Sequence, residues 1–386
     1  MKKRARSGYV KFCTILRAGC VLGGFYAGIQ PNTGSMLKDK SNVCVRINTG
    51  APVPNGFDAV VQVEDTKLIK ATEDGKEEVE IEILKSPSVG MDIRKIGSDI
   101  ESGSKVLSKY SRLGPAELGL LATVGASEIS VFRRPIVGIL STGNELQDPT
   151  TDPDLKEGGG KIRDSNKTTL ISLIGGEGGI PIKDLGIAID DPQILLDKLK
   201  ASLPEIDILV TTGGVSMGDR DLLRQVLVED LNAHLQFARV HMKPGKPTTF
   251  ATLELPGSKK KKLVLGLPGN PVSATVTCHL YVLPACRKMS GYSKALPGRL
   301  KAKAPTSIRL DPRPEYQRVS ITLSGEEALA NVKPTGNQIS SRLPSLAAAN
   351  GLLVLPPRTE DKSEIKEGEA VDCLVIGPLL TEMNTM

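Results

Sequence analysis

Between Pro135 and Gly291 apolar strand-like runs take turns with segments of helical periodicity, and this alternation constrains the fold more than any other feature. Pro135 to Ser141 (PIVGILS) reads as a strand, Ser165 to Ile174 as a helix, Ile180 to Ile189 as a strand and Pro192 to Leu203 as a helix. Ile206 to Val210 (IDILV) is the next strand, followed by a helix from Arg220 to Leu227, strands near Leu235 and Lys262, and a long apolar helix from Pro271 to Met289. Strands separated by helices build a parallel sheet with helices on both faces, so the spacing predicts a doubly wound α/β domain.

Ligands of such sheets bind beyond the carboxyl ends of the strands, which directs attention to the loops that follow them. After IDILV comes TTGGVSMGDRD, Thr211 to Asp221. Gly213 and Gly214 let backbone N–H groups approach a bulky anion, and Asp219 and Asp221 can hold a divalent cation beside it. A tight turn and a helix cap would use the same residue types. The other strand ends decide for function: Ser141 to Leu146 (STGNEL), the pair Asp190-Asp191, and Pro268 to Ser273 (PGNPVS) bring glycines, hydroxyls and carboxylates to one edge. Backbone N–H groups there suit a phosphate, and Glu145 with Asp219 suits its metal. Met242 to Pro247 (MKPGKP) adds Lys243 and Lys246 on a stiff proline-glycine turn, an oxyanion clamp.

The flanks read as β structure. Residues 43–110 alternate in period two (VCVRI, DAVVQVED, EVEIEIL), 111–134 form a helical connecting segment, and 292–386 return to alternation at Val319, Ile321 and Leu323 and at Val371, Cys373 and Val375. Residues 1–42 form a divergent N-terminal segment. Its MKKRAR start imitates a secretory signal, but Lys11 and Arg17 interrupt the apolar stretch and no small-residue cleavage site follows. No segment reaches the roughly 20 apolar residues that span a bilayer.

Composition narrows the chemistry. A net charge of +6 over 386 residues, scattered apart from Lys259 to Lys262, and the absence of tryptophan leave no electrostatic or stacking platform for nucleic acid. Six cysteines without a CxxC pair fit free thiols in a reducing cytoplasm, and the three histidines are not spaced as zinc ligands. No Walker sequence, nucleophile elbow or kinase signature occurs.

In order along the chain, LSTGNEL, KIRDSN, TTGGVSMGDRD, MKPGKP, LGLPGNPVSA and TGNQISSRL resemble the motifs of the molybdopterin molybdenumtransferase family, with most likeness to the C-terminal domain of its gephyrin branch, from about Ala27 to Gly377. The resemblance implies an elongated, multidomain homodimer whose α/β domain is similar to molybdopterin-binding folds and is flanked by small β domains. It implies insertion of molybdate into adenylylated molybdopterin, with release of AMP and with Mg²⁺ as the cation. Carried over by motif, Thr49, Glu145, Asp190 or Asp191, Ser216, Asp219 and Asp221 would line the pterin, adenylate and cation site. Lys243, Lys246, Pro247, Ser273, Arg313 or Arg318, Ser340, Ser341 and Arg342 would surround molybdate, a dianion suited to charge-assisted donors. Asp219, Asp221, Lys243 and Lys246 would carry the reaction by electrostatic positioning. The gephyrin branch also implies a second role, binding of cytoplasmic loop peptides of inhibitory receptors. In one place the chain departs from the family: Met1 to Tyr26 lacks the expected Asp-Gly-Tyr-Ala motif, and Ser7-Gly8-Tyr9-Val10 has no aspartate. A truncated start, or the loss of part of the site, is the expectation that follows.

Overall fold

The computed structural model describes residues 11–16, 43–54, 57–75, 78–151, 160–214, 222–258, 260–323 and 328–379. The chain divides into two compact units, Met1–Val124 and Gly125–Met386. In the first, β1 (Lys11–Leu16) lies between β2 (Val43–Asn48) and β3 (Val60–Gln62), antiparallel to both. Part of the segment read as divergent is therefore a central strand. A hairpin of β4 (Thr66–Ala71) and β5 (Glu78–Ile83) follows, and then α1 (Pro115–Thr123), where Glu117 Oε2 accepts the Gly114 N–H at 2.9 Å.

The second unit holds the strand-helix alternation. It begins with β6 (Val137–Thr142), a short parallel pair of β7 (Leu146–Gln147) and β8 (Ile162–Arg163), α2 (Ser165–Gly176), β9 (Ile182–Ala188) and α3 (Pro192–Ser202). There follow β10 (Ile208–Thr212), α4 (Leu222–Gln225), β11 (His234–Ala238), β12 (Thr249–Glu254), β13 (Lys261–Leu267), α5 (Pro271–Thr277) and α6 (Leu283–Met289). One π-helical turn, Cys278–Val282, joins α5 to α6, so the long helix read from sequence is real but carries a bulge.

The six strands run in the order β11-β12-β13-β10-β6-β9. The last four are parallel, whereas β11 and β12 are antiparallel additions at one edge. The expectation of a parallel sheet is thus corrected at that edge, because apolar runs mark strands without marking their direction. Every residue of β6 and β10 is buried, since helices cover both faces. Ile208 and Val210 pack with Leu170, Ile174, Cys278 and Val282 on one face; Leu209 packs with Leu195, Leu199, Leu223 and Leu227 on the other. An Arg133–Asp207 fork closes the opposite end: the guanidinium donates to Oδ2 at 2.7 Å and to Oδ1 at 2.8 Å, and Asp207 Oδ2 also takes the Ile136 N–H at 2.8 Å.

The remaining chain forms β14 (Arg299–Lys303), β15 (Ile308–Arg309), β16 (Glu315–Thr322), β17 (Asn331–Pro334), α7 (Pro344–Ala347), β18 (Gly351–Leu355), β19 (Glu364–Ile365) and β20 (Ala370–Val375). Five of these strands make an antiparallel sheet in the order β14-β20-β18-β16-β17 over its own core, and β15 pairs with β19. Met242, Val272 and Val276 of the α/β part form a shared apolar cluster with Leu352 and Leu374 of this sheet. Among the described residues no helix is long and apolar enough to cross a membrane.

Candidate functional site

The chain leaves β6 for β9 on one side and returns to β10 on the other, so the topological switch point lies between β6 and β10. A doubly wound sheet binds ligands there, outside the carboxyl ends of its strands. The two loops at that point are Gly143-Asn144-Glu145 and Gly213-Gly214. They are built around glycine for steric reasons. Gly213 (φ +79°) and Gly214 (φ +66°) lie in the left-handed region, and a Cβ on Gly213 would stand 2.3 Å from Thr142 O. On Gly214 it would meet Thr142 Oγ1 at 2.6 Å. The two strand ends therefore approach backbone to backbone, which no side chain would permit.

Polar contacts hold the rim. Gly213 N donates to Leu267 O at 3.2 Å and Gly143 N to Ala188 O at 3.1 Å, tying both loops to neighbouring strands. Asp190 N donates to Asn144 Oδ1 at 3.1 Å, so Asp190 stands beside the Glu145 loop with its carboxylate exposed. Asp191 is different: its Oδ1 accepts the Ile194 N–H at 2.9 Å as the N-cap of α3, ahead of Pro192. Of the two aspartates, Asp191 is thus engaged as a helix cap, whereas Asp190 stands at the Asn144–Glu145 loop.

Asp164, in the KIRDSN motif, caps α2 through Oδ1, which accepts the Lys167 N–H at 3.1 Å; its Oδ2 is buried without a partner among the described residues. Two residues on, Asn166 Nδ2 donates to Gly269 O at 2.7 Å and reaches Thr212 Oγ1 at 3.5 Å. Asn270 Nδ2 then donates to Ser340 Oγ at 3.1 Å, and Val272 N to Ser340 O at 3.1 Å. Hydrogen bonds, continued through the Gly269–Asn270 peptide link, thus run from the end of β10 to the Ser340 turn of the C-terminal part. Sequence reasoning quoted both motifs but missed Asn166 and Asn270 as links of this path.

Where the loop between β11 and β12 meets the start of β16 lies a cluster of opposite charges. Lys243 Nζ is 3.2 Å from Asp311 Oδ2 and 3.2 Å from Glu315 Oε1. Arg313 Nε donates to Asp311 Oδ1 at 2.9 Å, and its second nitrogen to Oδ2 at 3.2 Å. The Arg313 guanidinium, with Lys243 beside it, holds the Asp311 carboxyl well below the usual carboxylate range. Arg318 has another task. It is 1% exposed, and its guanidinium donates to Ser345 Oγ, Gln338 O, Asn337 O and Ile339 O at 3.1 to 3.3 Å. Burial pulls its pKa down to about 10. Four hydrogen bonds thus tie the Arg318 guanidinium to Ser345 and to the Asn337–Ile339 loop. Arg313 is the arginine of this pair that stays at the charged cluster.

The other predicted residues fall as follows. Lys246 is exposed and pairs with no described carboxylate, Pro247 is half-buried, and Ser273 is buried in the first turn of α5. Ser341 and Arg342 are exposed beside Ser340. Thr49 lies on an exposed turn in the first unit, before Gly50 at φ +84°. Ser216, Asp219 and Asp221 lie outside the described residues. A cleft of about 640 Å³ in the first unit, lined by Arg94, Lys95, Ser98 and Glu101, contains none of the predicted site residues. Asp311 and Glu315 were missed, although D-x-R-x-E at a spacing of two places like and unlike charges on one side of an extended chain.

Comparison with known proteins bears on the same regions. A family described as "Probable molybdopterin binding domain" matches residues 138–288. "MoeA N-terminal region (domain I and II)" matches residues 21–125, and "MoeA C-terminal region (domain IV)" residues 301–376. The chain is 40% identical over 375 residues to gephyrin of Dictyostelium discoideum, covering 91% of this chain and 50% of the relative. It is 40% identical over 358 residues to the molybdenum cofactor synthesis protein cinnamon of Drosophila melanogaster, covering 92% and 56%. It thus spans about half the length of these two relatives. A molybdopterin molybdenumtransferase of Nostoc sp. is 35% identical over 332 residues, 86% of this chain and 71% of that protein. A solved molybdopterin biosynthesis MoeA protein from Pyrococcus horikosii superposes with a TM-score of 0.69 at 28% identity, covering 96% of this chain and 87% of that one.

Proposed function

The chain belongs to the molybdopterin molybdenumtransferase family, and from that premise we propose that it acts in molybdenum cofactor biosynthesis as a cytoplasmic homodimer. The reaction is insertion of molybdate into adenylylated molybdopterin with release of AMP. The observation that carries this reading is the path from Thr212 through Asn166, Gly269, Asn270 and Ser340. It joins a switch-point edge suited to phosphate to Ser340, one of the hydroxyls expected around molybdate.

At the glycine edge, backbone N–H groups of the Gly213-Gly214 loop would take the phosphate, and Ser216 would add a hydroxyl donor. The exposed Glu145 and Asp190 supply oxygen donors of the type Mg²⁺ prefers, and Asp219 and Asp221 would complete the set. Mg²⁺ is held by carboxylate oxygens together with substrate phosphates and water. When bound, such an ion neutralises charge on the leaving AMP. On the other side Lys243, Lys246, Arg313 or Arg318, and Ser340 would orient molybdate by charge-assisted hydrogen bonds, with Pro247, Ser273, Ser341 and Arg342 around them.

The purified chain, given adenylylated molybdopterin, Mg²⁺ and molybdate, should release AMP and retain molybdenum on the pterin. Asp219→Ala should abolish both signals, and Lys246→Ala should abolish them at sub-saturating molybdate. Wild type and both variants behaving alike in the presence of molybdate would sink the reading. The 40% identity to gephyrin favours a second reading, in which the same chain binds cytoplasmic receptor-loop peptides. Co-sedimentation with such a peptide tests it, and no binding at high micromolar peptide counts against it.

A further inference from the structure

Lys243 is bracketed by the C-terminal sheet. Its N–H donates to Pro314 O at 2.9 Å, and its carbonyl accepts the Tyr316 N–H at 2.8 Å, so its backbone is fastened on both sides of Glu315. Its ammonium then meets two carboxylates of different kinds. Asp311 is shared with Arg313. Glu315, at the start of β16, is 4% exposed, and Lys243 is its one ion-pair partner among the described residues. Lys246, three residues on, is exposed and pairs with no described carboxylate.

We propose that Glu315 is a positioning residue, which fixes the direction of the Lys243 ammonium so that its remaining N–H faces the oxyanion, while Lys246 supplies the net charge that draws the oxyanion in. The charges argue for this division. Lys243 and Arg313 are balanced by Asp311 and Glu315, so the quartet is neutral and offers a dianion no net attraction. It offers direction instead. Glu315 is also a poor candidate for a displaceable competitor, because removing Lys243 would strand a buried carboxylate. The identity of the oxyanion rests on the molybdate-insertion reading; the pinning of Lys243 does not.

Two measurements on the full chain separate these dependencies. Lysine ammonium signals in ¹H–¹⁵N spectra, assigned with Lys243→Arg, report the pinning without any substrate. A slowly exchanging Lys243 signal is expected in wild type and should vanish in Glu315→Gln, with the other lysine signals unchanged. Its absence from wild type, or its persistence in Glu315→Gln, overturns the proposal. If Glu315→Gln does not fold, Asp311→Asn should weaken the same signal, and an unchanged signal there overturns it too.

In the molybdate assay, Glu315→Gln should lower kcat on the order of tenfold or more, the loss expected from a misdirected group. Lys246→Gln should instead raise KM and flatten its dependence on salt. An unchanged kcat for Glu315→Gln would refute the assignment. Wild type without turnover, combined with the expected ammonium signals, refutes the insertion reading and leaves the pinning in place.

Discussion

Replacing Gly213 by alanine tests whether the switch-point edge is shaped by sterics. At φ +79° an L-residue costs about 1–2 kcal/mol in backbone energy alone. The added Cβ would lie 2.3 Å from Thr142 O, short of an ordinary C···O contact by about 1 Å. Forcing an atom into packed surroundings costs about 1–3 kcal/mol more. Gly213→Ala should therefore destabilise the α/β part by about 2–5 kcal/mol, the sum of the two costs. Gly257 is the control, since it sits at φ +76° with nothing within 4 Å of its Cβ position. Gly257→Ala should lose only the backbone part, about 1–2 kcal/mol. A second contrast separates backbone from side-chain contact. The nearest atom to a Cβ on Gly214 is Thr142 Oγ1 at 2.6 Å, which Thr142→Ala removes, whereas it leaves the carbonyl facing Gly213 in place. Thr142→Ala should relieve Gly214→Ala and not Gly213→Ala. The chain has no tryptophan, so Phe237→Trp on β11, facing Phe250 at 5.6 Å, gives a reporter confined to this sheet for urea unfolding. Equal losses for Gly213→Ala and Gly257→Ala, or equal relief of both glycine variants by Thr142→Ala, would refute the reasoning.

Other outcomes follow from the same geometry. Arg318→Met should cost about 3 kcal/mol by leaving buried oxygens unpaired, and should speed amide exchange at residues 337–341 while β6 stays protected. Unchanged exchange there would remove its loop-holding role. His279 is 6% exposed, and burial lowers its pKa to about 4. The unfolded chain takes up a proton at this residue near pH 6.5 that the native state refuses down to about 4, so stability should rise with pH across that window and level off above it. His279→Gln should flatten the rise, and an unaltered pH profile would contradict the assignment. Below about pH 4, protonation of Asp207 and Asp311, both held low by arginine partners, should remove further stability. Burial pushes the thiols of Cys286 and Cys373 up to about 12, so neither should react with iodoacetamide before unfolding; labelling in the native state would show that these cores open.

Much of the second unit was legible because β6 and β10 are covered on both faces, and such strands must be continuous apolar runs. PIVGIL and IDILV could hardly be anything else between helical patterns. Strand direction was not legible at β11 and β12, where pairing depends on the partner and not on the pattern. Lys11–Leu16 was lost because a basic start before an apolar stretch imitates a leader, while its pairing is with β2 and β3 farther along the chain. Within the candidate site, the glycine turns and the Lys243 loop could be singled out because their chemistry is local. That Asp191 caps α3 was also legible, since an aspartate directly before proline is a helix-start signature. Glu315 could not be recognised as the partner of Lys243 by any local rule, as their meeting depends on how β16 docks against the β11–β12 turn.

The apolar cluster of Met242, Val272, Val276, Leu352 and Leu374 bears on divisibility. The α/β sheet and the C-terminal sheet each have a core of their own, which invites cutting the chain between them near Gly291. The cut would lay bare the hydrocarbon on both fragments, next to Lys243. Each piece would then carry a sticky face. Any shortened version meant to stay monodisperse would need polar replacements at Val272, Val276, Leu352 and Leu374, and would give up the seam across which Lys243 bonds to Pro314 and Val272 to Ser340.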